Sequence, residues 1–84
     1  MLKVLFFARV REELACSELE WQWPDSGLDL NQLEENLCVE YGRVWRKVLK
    51  QDNMIRAVNQ QVIASNCALK DGDEIAFFPP VTGG

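Results

Sequence analysis

The sequence predicts an α+β fold, a mixed β-sheet with one main helix packed on one face. Three observations predict it: short β-branched and aromatic runs open and close the chain, a single capped helical stripe lies between them, and turn residues separate the rest.

Residues 2–10 are dense in aliphatic and aromatic side chains and read as a strand, with Leu2, Val4, Phe6 and Ala8 on one face and Lys3, Leu5, Phe7 and Arg9 on the other. A strand apolar on both sides implies that both faces meet something. Leu19, Trp21 and Trp23 alternate with Glu18, Glu20 and Gln22, the pattern of a half-exposed second strand that Pro24 ends. The short link between these two strands is compatible with a hairpin. After the turn residues Asp25, Ser26 and Gly27, Asp29 with Gln32 matches a capping box. Leu30, Leu33, Leu37 and Tyr41 then recur at helical spacing as the core face of the main helix, and Gly42 is its stop. Val44, Trp45, Val48 and Leu49 predict a short second helical segment. Residues 54–58 and 62–64 read as short strands around Asn59, Gln60 and Gln61. Lys70-Asp71-Gly72-Asp73 is turn chemistry leading into a last strand at 74–78, where Ile75 and Phe77 oppose Ala76 and Phe78. If Val4, Phe6, Ile75 and Phe77 face the helix, then Phe7 and Phe78, joined by Leu5 and Val62, point to the opposite side of the sheet. There they form either a docking surface or a patch covered by Trp23 or a loop.

The 84 residues support one small domain, residues 1–78, followed by an extended tail at 79–84. The composition, 48% apolar and 26% charged, is that of a packed globular chain. A net charge of -4 repels phosphate backbones, so nucleic acid is excluded as the expected partner and a basic protein surface is favoured. The spacing of Arg43, Arg46, Lys47 and Lys50 fits the solvated side of a helix better than an anion site. Cys16, Cys38 and Cys67 are odd in number, widely separated and accompanied by no histidine, which predicts reduced thiols, no metal site and a cytoplasmic protein. The apolar start is cut short by Arg9 and Arg11 with no cleavage pattern behind it, and no membrane span is expected.

The most reactive group on the chain is its end. Gly83 and Gly84 have no Cβ, so they fit a channel too narrow for other residues and leave the α-carboxylate open to attack from either side. Pro79 and Pro80 fix their own φ and favour an extended exit from the last strand. The six residues after Phe78 would carry the carboxylate about 20 Å outward, a reach suited to a buried site on another protein.

Three stretches carry a likeness to a known family: Lys3-Val4-Leu5-Phe6-Phe7-Ala8, Ala57-Val58-Asn59-Gln60, and the run from Leu69-Lys70-Asp71-Gly72-Asp73-Glu74 through Ile75-Ala76-Phe77-Phe78-Pro79-Pro80-Val81-Thr82 to Gly83-Gly84. With them the chain resembles the ubiquitin-like sulfur carriers that form the small subunit of molybdopterin synthase. The resemblance implies a β-grasp fold. It implies that Gly84 is adenylated by an ATP-dependent activating enzyme, becomes a thiocarboxylate and gives sulfur to cyclic pyranopterin monophosphate on the large synthase subunit. Gly83, Thr82 and Val81 would thread the tail into those partners, while Phe7, Val62, Phe78, Pro79 and Pro80 would form the docking face. Catalytic residues would lie on the large subunit, and this chain would bind no cofactor or metal, with ATP held by the activating enzyme. Asp71, Asp73 and Glu74 would either meet basic residues of that enzyme or be solvated turn residues. A protein modifier of the same fold, or a sulfur carrier for another pathway such as that of the thiamine thiazole, shares the terminal double glycine.

Overall fold

The computed structural model describes residues 1–80. The elements run β1 (Leu2–Phe6), α1 (Ala8–Leu14), β2 (Glu18–Trp21), α2 (Leu30–Tyr41), α3 (Arg43–Leu49), β3 (Ile55–Val58), β4 (Gln61–Val62) and β5 (Glu74–Phe78). They build a five-stranded sheet in the order β2-β1-β5-β3-β4. The first and last strands lie parallel at its centre, and the other neighbours are antiparallel. A mixed sheet of this order wrapped around one main helix is a β-grasp, as the resemblance implied.

The alternation of β1 and β5 decides which side holds the core. Leu2, Val4 and Phe6 from β1 and Ile75 and Phe77 from β5 are buried against Leu30, Leu33 and Leu37 of α2 and Trp45, Val48 and Leu49 of α3. The Phe6 ring stacks on Phe77 at 5.8 Å and meets Trp45 edge-on at 5.2 Å. Such pairs add to area burial because the ring edge is positive and the face negative. The helix α2 starts where the capping box places it: Asp29 accepts from the Gln32 backbone N–H at 2.7 Å, and the Gln32 side chain accepts from the Asp29 N–H at 2.9 Å. Gly42 ends it at φ +99, a conformation that disfavours any residue with a Cβ.

Four expectations need correction. The opening strand does not reach Val10: it ends at Phe6, and residues 8–14 form α1. Val10 and Leu14, one turn apart, bury one face of that helix, and Arg9 pairs with Glu13 at 3.1 Å on the other. The link between β1 and β2 is therefore helical and not a simple hairpin, although the two strands do pair antiparallel. Trp23 lies beyond β2, half-buried against the core. Tyr41 and Val44 are exposed, because Trp45, Val48 and Leu49 already occupy the inner side of α3; the Tyr41 ring instead stacks on Trp45 at 4.3 Å.

The end of α1 holds an improvable residue. Ala15 closes the helix at φ +54, and the bonds from Ala15 N–H to Glu12 O and from Cys16 N–H to Arg11 O are those of a left-handed helix stop. A Cβ in that region costs about 1 kcal/mol that glycine avoids. Ala15→Gly is expected to raise Tm by about 4 °C, and a lower Tm in a thermal melt would refute this account of the cap.

Candidate functional site

The side of the sheet away from the helices is built by register. Leu5, Ala76, Ala57 and Val62 stand in one row across β1, β5, β3 and β4. The methyl groups of Ala57 and Ala76 form a low floor between larger neighbours. Phe7 continues the extended conformation of β1 by one residue, and its N–H bonds Phe77 O at 3.2 Å, so its ring falls on this open side with that of Phe78. The result is a hollow of about 810 Å³ lined by Leu5, Phe7, Ala57, Val62, Ala76 and Phe78, with Pro79 and Pro80 at one end and Glu74 and Gln60 at the other. Phe7 is 45% and Val62 63% exposed. Trp23 does not cover them; it borders a separate hollow with Trp21, Gln22, Pro24 and Asp25. The structure thus brings Phe7, Val62, Phe78, Pro79 and Pro80 together on one apolar surface.

Strand alternation put Ala76 on the side of Phe78, but sequence reasoning missed Ala57 beside it, since only the register of β3 against β5 joins the two alanines into a floor. Val81, Thr82, Gly83 and Gly84, the residues expected to thread and to react, lie outside the described residues.

The Glu74 end of the hollow is fixed by Asn59. Its backbone is left-handed, as is that of Gln60, giving the two-residue turn between β3 and β4 the conformation that matches strand twist. The Asn59 N–H donates to Glu74 O at 2.7 Å, its amide oxygen accepts from the Glu74 N–H at 3.0 Å, and its amide nitrogen donates to Asp73 at 2.9 Å. These bonds offset the left-handed strain. The other Asp73 oxygen accepts from the Lys70 N–H at 2.8 Å, and Asp71 pairs with the amino group of Met1.

Two basic residues at the end of α3, Arg46 and the C-cap Lys50, face acids of the same protein. Arg46 meets Glu35 at 2.9 Å; Lys50 meets Glu34 at 3.0 Å and Glu35 at 3.6 Å; and Arg56 of β3 reaches Glu34 at 3.4 Å. The Arg46 hydrogen bond holds the Glu35 carboxyl below its usual range, and the Glu34 hydrogen bond raises Lys50. Arg46 and Lys50 are thereby committed within the protein, which argues against a compact anion site on α3. Burial pushes the Cys38 thiol upward, away from the reactive thiolate. All three cysteines are free thiols. No cluster of metal-ligating side chains occurs among the described residues, and none of their helices is long and apolar enough to cross a membrane.

Comparison with known proteins gives this geometry its relatives. The chain is similar over its full length to the molybdopterin synthase sulfur carrier subunit of Escherichia coli (strain K12), with 40% identity covering 100% of both chains. It superposes on the small archaeal modifier protein 1 of Methanosarcina acetivorans with a TM-score of 0.73 and 27% identity, over 99% of this chain and 95% of that one. It also superposes on a chain in the complex of subunits 1 and 2 of the molybdopterin-converting factor from Helicobacter pylori 26695, with a TM-score of 0.65 and 29% identity, over 99% and 97% of the two chains. The family model of the ThiS family matches residues 4–84, and with a full-length relative at 40% identity on the same β-grasp, this chain belongs to that family.

Proposed function

We propose that this protein is the sulfur carrier subunit of a molybdopterin synthase. The observation that carries the reading is the open apolar hollow over β1, β5 and β3, whose edge at Pro79 and Pro80 leads in sequence into Val81-Thr82-Gly83-Gly84. Phe7, Val62, Phe78, Pro79 and Pro80 dock the large subunit, and Val81, Thr82 and Gly83 thread the end into its active site. A carboxylate oxygen is a poor leaving group, so an activating enzyme uses ATP to convert the Gly84 carboxylate into an acyl adenylate, releasing pyrophosphate. A sulfur donor then displaces AMP and leaves a thiocarboxylate. That anion is strongly nucleophilic near neutral pH, and docking turns its attack on cyclic pyranopterin monophosphate into an effectively intramolecular step. Two such transfers complete the dithiolene. This chain contributes address and atom, while ATP is held by the activating enzyme and the acid–base groups by the large subunit. Three free thiols agree with a reducing cytoplasm.

Likeness to a small archaeal modifier favours a second reading, in which Gly84 ends on a lysine amine of another protein. Intact mass after incubation with the activating enzyme, ATP and a sulfur donor separates the two. The carrier reading expects a gain equal to the difference between sulfur and oxygen, followed by its loss when the large subunit and pterin are added. High-mass conjugates with no thiocarboxylate would replace it with the modifier reading.

A further inference from the structure

We propose that Glu74 sets the orientation in which the partner seats on the open hollow, by pairing with a lysine or arginine of the large subunit at the end farthest from the tail. This inference rests on the carrier reading above. Along this hollow the lining is apolar from Pro80 to Ala76 on β5, and Glu74 is its one carboxylate among the described residues. At about 3.3 Å per residue, Glu74 stands about 17 Å from Pro79, so its charge, beside the neutral Gln60 amide, marks one end of the surface.

Three features make that charge available. Asp73 and Asp71 are committed, the first to Asn59 and Lys70 and the second to Met1. Lys3, the register neighbour of Glu74 on β1, extends toward Glu18 of β2 at 4.0 Å. Glu74 itself makes no ion pair among the described residues, and Asn59 grips both its backbone N–H and its carbonyl, so the carboxylate projects from a fixed base. A half-exposed carboxylate on the rim of an apolar hollow contributes little to the fold but much to the alignment of a cationic partner. An apolar surface alone permits sliding and reversal; a charge at one end penalises both.

The test compares the parent chain with Glu74→Gln and Glu74→Lys, measuring Kd for the large synthase subunit at low and high ionic strength. Tm is the control, because the Asn59 bonds go to the Glu74 backbone and survive both changes. The parent is expected to bind less tightly as salt rises. Glu74→Gln is expected to bind about tenfold more weakly at low salt with a flatter salt dependence, and Glu74→Lys about a hundredfold more weakly. If both variants bind within about twofold of a tightly binding parent and keep its salt dependence, this inference fails and the carrier reading stands. If the parent does not bind the large subunit at all, both fail.

Discussion

A chain with one alanine added after Gly84 is expected to take up no sulfur at all. The added residue moves the α-carboxylate by one peptide unit and places a Cβ where the proposed channel admits only glycine. Gly84 would then present an amide carbonyl, which ATP cannot convert to an acyl adenylate, while the displaced carboxylate would lie out of register with the activating site. Nothing in the folded body should register the change, because the buried core lies between Leu2 and Phe77. Intact mass after incubation with ATP, activating enzyme and sulfur donor is expected to show no thiocarboxylate, with a thermal melt indistinguishable from the parent. Normal sulfur loading of the extended chain would remove Gly84 from the mechanism.

The second large effect is expected from Phe7→Asp, which should cost binding to the large subunit about a hundredfold or more while sparing the fold. The ring stands on the open hollow and is 45% exposed, so docking would bury a large aromatic surface that the mutant replaces with a charge needing solvent. The same position is the N-cap of α1, where Phe7 supplies no side-chain acceptor. Aspartate is among the preferred residues there and is worth up to about 1 kcal/mol, offsetting the partial burial that the ring provides. Tm is accordingly expected to stay within about 4 °C of the parent. A mutant that unfolds would assign Phe7 to the core, and one that binds normally would remove the hollow from the docking surface.

Features settled by bonds between near neighbours were legible in the sequence. The start of α2 follows from Asp29 and Gln32 bonding each other's backbone, and the turn before β5 from Lys70-Asp71-Gly72-Asp73. Strand alternation placed Phe7 and Phe78 on the open side, and the structure puts them there. The helix α1 was hidden because Phe7 offers no capping signal and the apolar run continues to Val10. Its start depends on a left-handed Ala8 at φ +54, a conformation that alanine does not advertise. The alanine floor, the clamp of Asn59 on Glu74 and the commitment of Asp73 all depend on β3 lying against β5, a pairing between distant parts of the chain. Local pattern holds no record of it.

The parallel pairing of β1 with β5 at the middle of the sheet also governs how the molecule is made. Lys3 meets Glu74 and Phe6 meets Phe77, so the hydrophobic interior cannot close until translation has passed the final strand. A polypeptide that stops before Glu74 lacks β5, the strand with which both β1 and β3 pair, and is expected to remain unfolded and open to proteolysis. Birth of the native body is thereby tied to synthesis of β5, which immediately precedes Pro79-Pro80-Val81-Thr82-Gly83-Gly84 in the sequence.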